Sequence, residues 1–299
     1  MKINSSQNLL LGLILIASVV TAQSLHPHDD EIKIIDGEQY VQTPFGLMLR
    51  ECVHNVPSGT HIQESEDGSI FLTNDEKNFA KRVQKSEKCQ KADPTKKPEQ
   101  WIDNNGWDLP ANKSLSKFEA YYYVPNTPRT THDQWLYYFI GSQNNDGSGP
   151  QLSIIQPVLS YYKGWYFQSW NCCPDGQAIN SPSIFNITPH DQVYGSVQVN
   201  KTSVNILSQN KFGEQSSLTI DRNGRNFTWI DATLEIYDIS NCTDYPKGRM
   251  TFSQMNVTLN NEMSAIPQWK DYTGPSECNG KMVVEDPQTI SIFHNLLQE

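Results

Sequence analysis

Between Trp101 and Leu259 the chain is a succession of short runs rich in Tyr, Val, Ile, Thr and Phe, parted by Gly, Pro, Asn and Asp, with no stretch of helical period. That texture confines it to an all-β fold. β-branched and aromatic side chains suit the pleated, half-buried surface of a strand, and the residues between the runs supply turns. Strands are expected near 117–124, 135–141, 151–160, 164–170, 192–199, 202–208, 216–221, 226–238 and 249–259. Many short strands at regular spacing build an antiparallel β-sandwich or jelly roll.

The N-terminal third reads differently. Phe45-Gly46-Leu47-Met48-Leu49 and Ser69-Ile70-Phe71-Leu72, separated by Pro57-Ser58-Gly59 and Asp67-Gly68, suggest two or three short strands over 41–72. Residues 75–90 are the helix candidate. Phe79, Val83 and Cys89 recur near helical spacing, Asp75 and Glu76 stand in the first turn, and lysines gather towards the end. The Pro/Lys stretch over 91–99 reads as a boundary. The expected organisation is a signal peptide over 1–22, a small mixed segment over 23–98 that is a candidate pro-region, and the sandwich over 99–299.

The leader follows from Lys2, the uncharged apolar run Leu9 to Val20 and the small residues Val20-Thr21-Ala22. A run of about a dozen residues is shorter than the ~20 a membrane helix needs, so cleavage rather than membrane insertion is expected. The destination is then secreted or extracellular, with the lysosomal or endosomal lumen as the alternative. An even set of cysteines, Cys52, Cys89, Cys172, Cys173, Cys242 and Cys278, fits an oxidising compartment and three disulfides; a Cys52–Cys89 bridge would staple the N-terminal segment. N-glycosylation sequons stand at Asn112, Asn186, Asn200, Asn226, Asn241 and Asn256. The net charge of −10 argues against nucleic acid as a partner. His26-Pro27-His28-Asp29-Asp30 has metal-binding residue types but no further fixed ligand near it, so a loose arm is expected and neither metal nor cofactor.

Nucleophile elbows, zinc-protease helices, aspartic-protease triplets and phosphate loops are all absent from the sequence. With the cysteines oxidised, any catalysis falls to carboxyls and amides. Two strands carry such groups. In Leu152 to Leu159, alternation sets Ile154, Gln156 and Val158 on one face, and an amide among apolar neighbours needs a hydrogen-bond partner or a cleft. In Trp229 to Asp238, Asp231, Thr233, Glu235 and Tyr237 share one face, while Ile230, Ala232, Leu234 and Ile236 share the core face.

Several of these segments resemble the glutamic endopeptidases, or eqolisins. The likeness runs through Lys117-Phe-Glu-Ala-Tyr-Tyr-Tyr-Val-Pro125, Trp135-Leu-Tyr-Tyr-Phe-Ile-Gly141, Ile154-Ile-Gln-Pro-Val-Leu159, Gly164-Trp165-Tyr166 with Trp170, and Ile187 to Val193. The chain is also similar to secreted proteins with Cys-Val-His-x-Val-Pro-x-Gly (Cys52 to Gly59) and Asn-Gly-Trp (Asn105 to Trp107) motifs. The resemblance implies a concanavalin-A-like sandwich of two antiparallel sheets. It further implies a catalytic Gln156/Glu235 pair, the glutamate acting as base and then acid for a water and the glutamine amide holding the oxyanion. Glu235 lies in Leu-Glu-Ile-Tyr-Asp rather than the family's Trp-Ile-Val-Glu-Asp, and another register sets Tyr237 at the catalytic place. Trp165, Trp170, Tyr237 and Asp231 are candidates for substrate binding. The substrate is a polypeptide or a glycan. The alternatives are a non-catalytic lectin-like or surface-binding sandwich, and a glycoside hydrolase using Asp231 and Glu235, whose carboxyls would have to lean together.

Overall fold

The computed structural model describes residues 32–89, 101–260, 264–274 and 278–294. The expected leader, the His26/His28 arm and the expected linker over 91–99 lie outside the described residues. Among those described there is no α-helix. Two large sheets pack face to face in a concanavalin-A-like β-sandwich.

The first sheet has eight strands, in the spatial order Lys270–Asp271, Trp101–Asp108, Trp229–Tyr237, Trp135–Gln143, Ile154–Tyr161, Trp165–Cys172, Ala178–Asn180 and Val53–Asn55. The second runs Lys281–Asp286, Thr289–His294, Gly248–Leu259, Leu115–Tyr123, Gln192–Val199, Ser203–Gln209, Gln215–Asp221, Thr60–Glu64, Ile70–Asn74 and Phe79–Val83, with Ser264–Ala265 beside Gly248–Leu259. Alternation builds the core between them. Leu136, Tyr138, Ile140, Ile230, Ala232 and Leu234 of the first sheet meet Phe118, Tyr122, Val197, Ile206 and Leu218 of the second, each buried. Each Leu, Ile, Val and Phe among them contributes about 1.5–3 kcal/mol by leaving water.

The nine expected strands are all present, with ends shifted by a few residues. Trp101–Asp108 was not expected, because its polar string Asp103-Asn104-Asn105 does not read as a buried strand, yet all three are buried.

The helix expected over 75–90 is absent. Asp75–Lys77 form one 3-10 turn, Asn78 adopts the left-handed region (φ 48°), and Phe79–Val83 returns as a strand paired with Ile70–Asn74. Phe79 and Val83 lie four apart, which fits one helix face and equally one strand face; pairing with the neighbouring strand decides.

The N-terminal segment completes both sheets. Val53–Asn55 runs parallel to Ala178–Asn180, and Thr60–Glu64 runs parallel to Gln215–Asp221. Cys52 bonds Cys89 and Cys242 bonds Cys278. No disulfide therefore joins the segment before the linker to the chain after it. Upstream, Lys33–Ile35, Glu38–Thr43 and Gly46–Leu49 form a separate three-stranded sheet. Its Val41, Phe45 and Met48 pack on the outer face of the eight-stranded sheet, against Trp135, Tyr137, Val158, Tyr166 and Trp170.

Candidate functional site

The outer face of the eight-stranded sheet carries the residues singled out above, and strand register sets their heights. In the pairing of Trp135–Gln143 with Ile154–Tyr161, Phe139 stands opposite Val158 and Ser142 opposite Ile155, which puts Gly141 level with Gln156. On the other side Gly141 pairs with Asp231, and beyond Gln156 comes Trp170. One row across the sheet therefore reads Asp231, Gly141, Gln156, Trp170. The second row reads Glu235, Tyr137, Ser160, Tyr166.

The first row has a gap in its middle. Gly141 has no side chain, and the Asp231 carboxyl leans over it: a Cβ placed on Gly141 would lie 2.6 Å from Asp231 Oδ1. Gln156 and Asp231 are both fully buried. Thr233 Oγ1 donates to Asp231 Oδ2 at 2.5 Å. Asp231 Oδ1 and both Gln156 side-chain atoms, Oε1 and Nε2, have no hydrogen-bond partner among the described residues. Buried polar groups are nearly always paired, so two such groups in one row, flanking a residue with no side chain, single that row out as a candidate site. Burial pushes the Asp231 carboxyl up to about 7, against the opposing Thr233 hydrogen bond.

The second row is a different environment. The Tyr237 hydroxyl donates to Glu235 Oε1. Burial pushes the Tyr137 hydroxyl well up, reinforced by Tyr166, Tyr237 and Glu235 around it. The expected Gln156/Glu235 pair is not formed. The two share a face but stand in different rows, with Glu235 four residues along its strand from the residue level with Gln156, a separation of ~13 Å. The same spacing separates Asp231 from Glu235, whose carboxyls turn to different hydroxyls, Thr233 and Tyr237. That arrangement is unlike the ~5–5.5 Å pair of a retaining glycosidase.

Trp170 does lie on the outer face, edge-on to Phe45 with ring centroids 6.0 Å apart. Trp165 does not. It points into the inter-sheet core against Tyr161 (5.0 Å) and Tyr138 (6.0 Å), because it sits an odd number of positions from Trp170. Tyr237 borders the small sheet, where a Cβ on Gly46 would lie 3.8 Å from its hydroxyl. The turn around Phe45 and Gly46 thus spans the face from Tyr237 to Trp170. Lys33 Nζ to Asp238 at 2.6 Å is an exposed ion pair at its margin. Sequence reasoning missed this cover and the Gly141 gap; a lone glycine inside an aromatic strand is the signal that finds the gap.

Outside this face, His54 donates to or accepts from Gln177 at 2.8 Å, and burial takes its pKa down to about 4. Of the sequon asparagines, Asn112, Asn186 and Asn241 are exposed, and Asn200, Asn226 and Asn256 are partly so. No group of acidic, His or Cys side chains among the described residues is arranged to hold a metal. No described helix is long and apolar enough to cross a membrane.

The Asp231 shift has a consequence for stability. A carboxyl held at about 7 in the folded chain and near 3.8 when unfolded favours folding fully below about 4, and that contribution is lost as pH rises through 7. Asp231→Asn should therefore match the parent in thermal stability at pH 4 and exceed it at pH 8, by on the order of a few kcal/mol. Melting curves at the two pH values check this; an equal gap at both contradicts it.

No protein-family model and no curated protein matches the sequence. Among solved structures, the chain is similar to Scytalido-glutamic peptidase crystallised with a peptide-based transition-state analogue, at 14% identity and a TM-score of 0.50, over 66% of this chain and 98% of that one. It is also similar to SCP-B, a member of the eqolisin family of peptidases in complex with the tripeptide Ala-Ile-His, at 13% identity and a TM-score of 0.47, over 66% and 98%. The first likeness agrees with the sandwich architecture described above.

Proposed function

We propose that this chain is a secreted endopeptidase using the carboxyl-and-amide chemistry of the glutamic peptidases, hydrolysing peptide bonds on the outer face of the eight-stranded sheet. The observation that carries the reading is Gln156: a fully buried amide with both polar atoms unpartnered, level with a carboxyl of the strand Trp229–Tyr237 across a side-chain-free gap. An amide N–H fixed in a water-poor site can hold the oxyanion that forms when a peptide carbonyl is attacked. A carboxyl in the same place can take a proton from water and return it to the leaving amine. Neither role needs a metal or cofactor. The fold shared with peptidases supports the same reading.

The strands Lys33–Ile35, Glu38–Thr43 and Gly46–Leu49 lie over this face, so the described form is latent. A substrate enters once they lift, and no disulfide opposes their release after a cut in the linker. The covered face also suits a non-catalytic module whose face binds only its own segment, and the experiment separates the two. The full chain and a loosened variant, Val41→Asp with Phe45→Ala, are incubated with an unfolded polypeptide and with oligosaccharides from pH 2 to 8, a range that spans the protonated and ionised forms of the Asp231 carboxyl. Peptide cleavage is expected, at least ~10-fold faster in the loosened variant, since exposing the face removes a competing occupant. No peptide cleavage by either protein at any pH removes the peptidase reading.

A further inference from the structure

We infer that the carboxyl working with Gln156 is Asp231, not Glu235. The inference rests on the peptidase reading above and narrows it to one acid.

Three observations converge on Asp231. Register places it in the row of Gln156, with only Gly141 between them. Its carboxyl leans across that glycine, towards the strand that bears Gln156. Adjacent strands lie ~4.8 Å apart, so the two backbones are ~10 Å apart, with no side chain on the strand between them. Finally, Asp231 Oδ1 and the Gln156 amide both lack a hydrogen-bond partner among the described residues, each on a side chain with no exposed surface. Glu235 meets neither of the first two conditions. It stands in the other row, beside Tyr137, and accepts from Tyr237.

The chemistry balances with water as the only co-reactant. The Asp231 carboxylate takes one proton from a water whose oxygen bonds to the peptide carbonyl carbon. The carbonyl electron pair moves to oxygen, where Gln156 Nε2–H donates to it. Asp231 then gives its proton to the amide nitrogen as the C–N bond breaks, leaving a carboxylic acid and an amine. Thr233 Oγ1, donating to Asp231 Oδ2, keeps Oδ1 turned to the gap.

Single substitutions in the loosened background test this: Asp231→Asn, Asp231→Glu and Glu235→Gln, each compared for kcat, KM and melting temperature. Asp231→Asn is expected to lower kcat ~10²–10⁴-fold with KM little changed. Asp231→Glu should recover part of the loss with a displaced pH profile, and Glu235→Gln should fall by less than ~10-fold. The Asn variant keeps the shape of the side chain, and an unchanged or raised melting temperature shows that the loss is not unfolding. Loss in Glu235→Gln with activity retained in Asp231→Asn overturns the assignment while the peptidase reading stands. Absence of cleavage by the loosened background itself removes that reading, and this assignment with it.

Discussion

Replacing Gln156 with Ala is expected to lower kcat for peptide cleavage by about 10²–10³-fold while KM changes little. The amide is fully buried and its Nε2 and Oε1 have no partner among the described residues. A donor of that kind does little for a bound, neutral peptide and much for the oxyanion, so its removal acts on the transition state. The fold should tolerate the change well. No hydrogen bond is lost, and removal of two unpaired buried polar atoms offsets the cavity left by the shorter side chain. Steady-state kinetics with a melting curve checks both halves. A rise in KM with kcat unchanged would make Gln156 a binding residue only.

Replacing Arg225 with Ala is expected to cost about 3–5 kcal/mol of stability. Arg225 is 1% exposed, and its Nη2 donates to Glu64 Oε2 at 2.7 Å, also buried, while its Nε donates to the Gln151 carbonyl at 3.0 Å. Truncation leaves the Glu64 charge buried without its cation. Glu64 ends the strand that joins Gln215–Asp221 in parallel, so the loss falls on the seam between the N-terminal segment and the sandwich. Arg225→Ala with Glu64→Gln should recover much of the cost, because the stranded charge is gone. Chemical denaturation of the single and double variants measures this; a single variant within about 1 kcal/mol of the parent would show the seam held by other contacts.

The sandwich was legible in the sequence because alternation survives wherever one strand face is core. Trp229–Tyr237 and Trp135–Gln143 show it plainly. Trp101–Asp108 was not legible, since three consecutive buried polar residues look like a loop until sheet pairing satisfies the backbone. Residues 75–90 misled because a spacing of four serves both periods. The site was half legible. Alternation identifies which residues share a face, and so brought Gln156, Asp231, Glu235 and Tyr237 forward together. It carries no information on height: Asp231 and Glu235 are equivalent by parity, and only the register through Trp135–Gln143 sets Asp231 level with Gln156. Trp165 is a substrate-binding candidate only through the resemblance to the eqolisins, and its own parity with Trp170 sends it to the core. The covering sheet was hidden for another reason. Where a segment such as Phe45 to Leu49 docks is decided by tertiary packing, not by its own pattern.

The most direct test is a crystal structure of the loosened variant with a bound peptide in which one amide is replaced by a non-cleavable tetrahedral group. That group should sit over Gly141, one oxygen within hydrogen-bond distance of Gln156 Nε2 and another facing Asp231 Oδ1, with the peptide running where Phe45 and Gly46 lie in the latent form. A peptide bound elsewhere, or that group placed beside Glu235 and Tyr137 instead, would contradict the account.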